Sequence, residues 1–323
     1  MDEVRGFEQE EVRPDQVGAM PPLDPAPNGQ LPAKTGTALE VVDFGDDAGA
    51  GLEGLGLDEQ LTPFLRMLQG LSPELNPSKA EYIPGAQMGM ILNTASLELT
   101  PGKEGLDVVL CAREHCFGQW IPRDQGGGFR GNLPPDDGLV RETIGRMAKK
   151  YGASAKFKLP RYRDGRWTDD PPRTKDTDEA VEMVECGQLY VLYGPAGGLD
   201  ANTAQRALIS MTSTGMPVYQ SVITRHNSWK WLQPDGRMLP APLWTYRWRL
   251  TTVTAKNAKG EYFVWNLSLA PPAQTYREAR MLPNDQLYVA GKEFNRLFRE
   301  GAVKADYEQQ AAAAREPGDD IPF

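Results

Sequence analysis

Cationic and aromatic side chains alternate over residues 141–168, and this combination can bind an unpaired nucleic-acid strand. The segment contains nine basic and two acidic residues, which makes it the densest positive stretch of the chain. Phosphates require positive charge, whereas unstacked bases require a flat π-surface that covers them. A solvated basic helix followed by a surface loop is the alternative. The candidate strand contacts in this segment are Lys156, Lys158, Arg161, Tyr162, Arg163, Arg166 and Trp167.

A second group of candidates lies in and near a predicted β-hairpin over residues 243–269. Alternation with a period of two places Tyr246 and Trp248 on one face of its first strand. Arg247 and Arg249 share the other face, where they could follow a phosphate backbone. Periodicity alone allows the aromatic face to be either core or exposed. The candidates of this group are Trp229, Lys230, Trp231, Arg247, Trp248, Arg249, Lys256 and Lys259.

The chain divides into a basic body and two acidic termini. Residues 1–60 contain fourteen acidic and three basic residues, and residues 306–323 contain five and one. Because the whole chain has a formal net charge of −9, residues 61–305 carry a net charge of +6. A basic body with acidic flanks is typical of a polyanion binder, although an ordinary domain with solvated termini is equally compatible.

Domain boundaries follow from composition and hydrophobic periodicity. Residues 1–57 are rich in Pro, Gly, Asp and Glu and show no sustained period, which predicts a disordered acidic segment. We expect a folded body over residues 58–305 that binds the strand. A flexible acidic tail over residues 306–323 should follow it.

Hydrophobic periodicity predicts a β-rich α+β body. Apolar spacing of i, i+3, i+4 and i+7 predicts a short helix over residues 58–69. Further helices are predicted over residues 139–151, from 213 or 214 to about 226, and 285–299. Strands are predicted at 90–93, 106–112, 116–121, 181–184, 188–193 and 207–212, before the hairpin. We interpret this order as an oligonucleotide-binding-type barrel with an insertion over 122–180 and flanking helices.

The sequence offers no recognisable catalytic or metal-binding constellation. Cys111, His115 and Cys116 lack a second Cys/His pair at zinc spacing, because the other histidine, His226, is isolated. Glycines 126–128 are not followed by the Lys-Ser/Thr pair of a phosphate loop. We therefore expect no metal, no cofactor and no enzymatic activity. A metal-dependent nuclease that uses only carboxylates is the alternative.

The sequence also predicts a cytoplasmic protein without a membrane partner. No apolar run approaches the ~20 residues of a membrane span, and the N-terminus is acidic rather than a basic signal. Three cysteines are an odd and sparse set, which argues against a disulfide framework. A homo-oligomer is compatible with the sequence.

The last five residues form a candidate docking peptide, in which an acidic pair precedes Ile-Pro-Phe. A terminal Phe offers a ring for a pocket and an α-carboxylate for a basic rim, while Pro322 lowers the entropy lost on binding. This tip closely resembles that of bacterial and phage single-stranded-DNA-binding proteins, where it recruits replication and repair enzymes. The resemblance implies that such proteins bind Asp319, Asp320, Ile321, Pro322 and Phe323. A chance acidic ending in Phe is the alternative.

The body resembles a family of tailed-phage proteins over roughly residues 80–270. The shared stretches include residues 81–85, 89–94, 120–129, 209–214 and 246–253. The resemblance implies single-stranded DNA binding in the host cytoplasm, with Trp120, Arg123 and Phe129 as strand contacts. A structural turn around the glycines would explain the same three residues. The whole sequence thus predicts a protein that coats single-stranded DNA during phage replication, recombination or repair, with a virion structural protein as the alternative.

The tip can be tested by removing it. Deletion of Asp319–Phe323 should abolish capture of replication and repair proteins from host lysate. Strand affinity should rise slightly, most visibly at low salt, because two side-chain carboxylates are lost. Phe323→Ala should also abolish capture because it removes the ring. One extra Gly after Phe323 should do the same because it displaces the α-carboxylate. Equal recovery of replication and repair proteins by the full-length chain and by all of its tip variants would show that the terminal resemblance is accidental.

Overall fold

The computed structural model describes Ala50 and residues 59–152, 158–257, 260–305 and 307, except for the side chains of Arg123 and Asn257. The predicted N-terminal segment and the docking tip lie outside the described residues, as do Lys156 and Lys259.

The described residues form fifteen strands and three α-helices. The helices are α1 (Gly138–Tyr151), α2 (Met216–Ser228) and α3 (Gln286–Arg299). The strands are β1 (Leu61–Thr62), β2 (Leu65–Met67), β3 (Ile91–Asn93), β4 (Leu99–Thr100), β5 (Leu106–Ile121), β6 (Gly128–Leu133), β7 (Tyr162–Arg163), β8 (Arg166–Trp167), β9 (Glu182–Pro195), β10 (Gln205–Thr212), β11 (Lys230–Leu232), β12 (Met238–Pro240), β13 (Arg247–Asn257), β14 (Gly260–Leu269) and β15 (Lys304–Ala305).

The central sheet is built around the long strand β5. Its antiparallel strands follow the order β10-β9-β5-β13-β14. β9 pairs with β5 along almost its whole length, from Leu106 to Trp120, with a bulge between Leu110 and Ala112. The other edge of β5 is shared, because β13 pairs with its first residues and β6 with its last.

The described strands confirm a β-rich α+β fold but not a closed barrel. β10 and β14 lie at the two ends of the strand order and do not pair with each other. The expected oligonucleotide-binding barrel is therefore not confirmed.

Both faces of the sheet are covered by helices. Val109 and Leu110 are neighbours on β5, yet they belong to different core clusters, because successive side chains of a strand point to opposite faces. α2 packs on the face of Leu110, and α3 packs on the face of Val109. Every residue of 106–112 is therefore buried, as is usual for a strand covered on both sides.

A third cluster joins α1 to the far end of β5 and β9. Val140 and Met147 of α1 pack against Phe117 and Met183, and all four side chains are at most 3% exposed. Asp137 accepts a hydrogen bond from the Leu139 N–H and so caps this helix. The sequence predicted α1 within one residue at its start.

The predicted helix over residues 58–69 is wrong in its described part. Leu61–Thr62 pairs with β15, and Leu65–Met67 pairs with β3. Pro63 lies between these strands, and a proline both lacks an N–H donor and disfavours a helical conformation in the preceding residue. The helical spacing arose because Phe64, Leu65 and Leu68 are all core residues.

Each of the two edge strands of the sheet, β14 and β10, is hydrogen-bonded by a residue from the segment 63–69. The side-chain amide of Gln69 donates to the Phe263 carbonyl of β14 at 2.8 Å and accepts from the Phe263 N–H at 3.1 Å. At the other edge, the Leu208 N–H of β10 donates to the Pro63 carbonyl.

Among the described helices, none combines the length and the apolarity that a membrane crossing needs.

Removal of the Asp107 carboxylate should destabilise the fold. Asp107 is 7% exposed, accepts from the Arg249 Nε at 2.6 Å and from the Gly197 N–H at 2.7 Å. Asp107→Ala leaves the largely buried Arg249 without a counter-charge, so the free energy of unfolding should fall by about 3–5 kcal/mol. Arg296→Ala removes two exposed ion pairs, with Glu293 and Glu300, and should leave the free energy of unfolding nearly unchanged. Denaturant titrations measure both, and a similar small loss in each would contradict this role of Asp107.

Candidate nucleic-acid interface

A cluster of aromatic rings and arginines lies where α2 runs into β11. We call Trp229, Trp231, Tyr276, Arg277 and Arg280 the aromatic–cation cluster. The Trp229 ring lies nearly parallel to those of buried Trp248, at 5.4 Å between centroids, and half-buried Tyr276, at 5.3 Å. The three rings thus form a stack that leads from the core toward the surface.

Two arginines cover the rings at the surface. The Arg280 guanidinium lies 4.5 Å from the Trp231 ring centroid, and that of Arg277 lies 5.3 Å from it. Both arginines are exposed, and neither is in a salt bridge among the described residues. Their charge therefore remains available to phosphates, next to rings on which bases can stack.

The sheet fixes the position of this cluster. The Trp231 indole N–H donates to the Tyr246 hydroxyl at 2.6 Å, and Tyr246 is fully buried. Burial raises the pKa of the Tyr246 hydroxyl. Tyr246 also forms a β-bridge with Arg280. Because Tyr246 immediately precedes β13, the sheet orients Trp231 and Arg280 together.

The positive charge of residues 141–168 is only partly available to a strand. Arg161 bonds to Glu182, and Lys150 bonds to Asp169 at 2.6 Å. The Lys150 ammonium lowers the pKa of the Asp169 carboxyl, and Arg146 is paired with Asp170. Asp169 and Asp170 follow the basic segment directly, so the structure neutralises charge that composition alone assigns to the surface.

The β7–β8 hairpin nevertheless forms a second, smaller basic patch. Tyr162 and Trp167 face each other across it with ring centroids 5.5 Å apart. Arg163 and Arg166 are exposed, and Lys158 lies 4.8 Å from the Tyr151 ring centroid. Burial lowers the pKa of Arg161, whose guanidinium points inward to Glu182.

The strand β13 belongs to the core rather than to the surface. Trp248 is fully buried, which removes it from the candidate interface in this conformation. Arg249 is held by Asp107, and Arg247 bonds to the Leu199 carbonyl and lies 3.7 Å from Asp285. Both arginines therefore position loops, although Lys256 is exposed at the end of the strand.

Trp120 and Phe129 lie on the opposite face, on the side of α3. Their ring centroids are 5.0 Å apart. The Phe129 ring is stacked with that of Tyr307 at 4.4 Å and an interplanar angle of 17°. Sequence reasoning missed Tyr307 in this group, and it missed Tyr276, Arg277 and Arg280 in the main cluster. An aromatic residue beside two arginines within five residues was the available signal.

The described residues show no group of three His, Cys, Asp or Glu side chains suited to a metal ion. His115 lies 3.0 Å from Glu185, and the Nε2 of His226 lies 2.9 Å from the Ala241 carbonyl. Burial lowers the pKa of His226. Each histidine thus has a structural partner.

One comparison with known proteins gives a match. A family model described as Pam3 phage gp34-like protein matches residues 33–304. No curated protein and no solved structure matches the chain.

Oligo(dT) should quench part of the intrinsic tryptophan fluorescence, because a base that stacks on the cluster contacts an indole. Trp231→Phe should remove much of this quenching while the fold persists. Trp244→Phe is the matched control, since Trp244 lies on the α3 side, with its ring centroid 6.1 Å from that of Tyr288. Full fluorescence at saturation would place every tryptophan away from the strand.

Proposed function

The chain belongs to the Pam3 phage gp34-like protein family, and from this premise we propose that it binds single-stranded DNA without catalysis during phage DNA replication or recombination. The observation that carries the proposal is the aromatic–cation cluster. It combines the two features that an unpaired strand requires, which are free cations and stacking surfaces.

The geometry of the cluster favours unpaired over duplex DNA. Trp231 lies within reach of two guanidinium groups, and Leu232 beside it is 70% exposed. A duplex hides the faces of its bases, so it can use the arginines but not the rings. A single strand can use both, and each stacked base contributes about 1–3 kcal/mol.

We propose that the β7–β8 hairpin extends the same binding surface. Trp229, Trp231 and Tyr276 pack on the core cluster that α2 covers, and Leu159, shortly before the hairpin, packs in the cluster that α1 covers. Trp248 pairs with Val108 on β5, and α1 packs against Phe117, nine residues further along that strand. A rise of ~3.3 Å per residue separates these positions by roughly 30 Å. A strand that contacts both groups would span several nucleotides.

The proposal includes recruitment of partner enzymes by the C-terminal tip. Bound protein would present Asp319–Phe323 to host or phage replication and repair proteins in the host cytoplasm. Five residues bury little surface, so each contact should be weak. Many copies on one strand would provide avidity.

A virion structural protein is the second candidate, and the β11–β12 hairpin favours it. Leu232, Met238 and Leu239 are 70%, 54% and 40% exposed, and exposed apolar groups of this kind often mark protein contacts. Presence of the chain in purified particles would support this alternative. Cleavage of labelled DNA with Mg²⁺ or Mn²⁺ would instead indicate a nuclease.

The decisive experiment replaces Arg277 and Arg280 by Ala in the full chain. Binding of oligo(dT) should weaken, and the log–log salt slope should become shallower by about 1.4, because about 0.7 is lost per phosphate contact. Arg296→Ala with Arg299→Ala is the matched control, since it removes the same charge from exposed positions on α3. Equal slopes in both double variants, or equal affinity of the native chain for duplex and single strands, would refute the proposal.

A further inference from the structure

We propose that Phe129, Asn132 and Gln188 form a binding slot for one unstacked nucleobase, which the chain's own Tyr307 occupies. This inference rests on the proposed binding of single-stranded DNA and adds a second contact on the α3 side. The slot lies between β6 and β9, beside the C-terminal half of β5.

The packing of Tyr307 has the geometry of a stacked base. Its ring lies 4.4 Å from the Phe129 ring at 17°, which is a parallel stack. Phe64 contacts the same ring edge-on, with centroids 5.6 Å apart and an interplanar angle of 65°. The slot therefore accepts a flat aromatic group with one face against Phe129.

Two side-chain amides provide the polar end of the slot. The Tyr307 hydroxyl donates to the Gln188 Oε1 at 3.0 Å and accepts from the Asn132 Nδ2 at 2.7 Å. Gln188 is 1% exposed, and a buried amide is costly unless it is hydrogen-bonded. One adjacent acceptor and donor match the paired donor and acceptor on the Watson–Crick edge of each of the four bases. The slot is thus suited to sequence-tolerant binding.

The position of Tyr307 in the chain makes its exchange feasible. It follows β15 by two residues, and β15 is the last strand among the described residues. Its release would leave the pairing of β15 with β1 intact. Phe129 and Asn132 are half-buried, so the slot reaches the surface. In the sequence, Tyr307 stands between two acidic residues, Asp306 and Glu308.

Tyr307→Ala in the full chain tests the slot. The affinity for oligo(dT), measured by fluorescence anisotropy, should rise about 5- to 100-fold, which corresponds to one additional stacked base. Tyr288→Ala is the matched control, because Tyr288 is a half-buried tyrosine of α3 on the same side of the sheet, and it should leave the affinity unchanged. An abasic strand of equal length should gain nothing from Tyr307→Ala, which separates base insertion from an effect of releasing the acidic tail.

Two further variants keep the test decisive. Tyr307→Phe preserves the packed ring and removes both hydroxyl hydrogen bonds, so it should raise the affinity by about fivefold even if Tyr307→Ala does not fold. Adding Asn132→Leu to Tyr307→Ala should remove most of the gain. Unchanged affinity in folded Tyr307 variants, with binding still dependent on Arg277 and Arg280, would overturn the slot alone. Absence of strand binding in every variant would overturn the proposed function and the slot with it.

Discussion

The continuous pairing of β5 with β9 is the constraint on which the rest of the structure depends. β5 has sixteen residues. Its first part lies between two helix-covered faces, and its last part extends beyond α2 to the region of α1. Because β13 occupies the first part of the other edge of β5 and β6 the last, one strand supports two otherwise separate parts of the sheet. The bulge between Leu110 and Ala112 changes which residues of β5 point to each face of the sheet, while the strand stays paired with β9.

Hydrophobic periodicity predicted most elements of this fold. Asp137 and Asp285 cap α1 and α3, and neither cap was used in the prediction. The strands predicted at 106–112 and 116–121 form one continuous strand, β5, and those predicted at 181–184 and 188–193 form one continuous strand, β9. The residues between them stay paired, as Glu114 does with Gln188. Closure of the sheet could not be predicted, since it depends on which strands are neighbours. Pro63 was the readable signal that the prediction over 58–69 ignored.

The candidate site was less accessible from the sequence, because pairing decides whether a charge is free. Nine basic residues in 141–168 suggested a surface for phosphates, yet Asp169, Asp170 and Glu182 neutralise three of the cations. Trp229 and Trp231 were identified from their types alone. Their arginine partners come from a loop about fifty residues later, and Tyr246 is the residue through which the sheet joins the two segments.

Gln69 limits association between copies of the chain through the edge of the sheet. Its amide takes both backbone groups of Phe263 and thereby imitates an additional strand for one residue. Proteins that gather at high local concentration are exposed to fibrous association through unpaired sheet edges. A single side chain that ends the ladder at β14 leaves no backbone template for a neighbouring molecule at that residue. The Gln69 amide therefore prevents a second molecule from extending the sheet at this residue, even where copies of the chain lie close together.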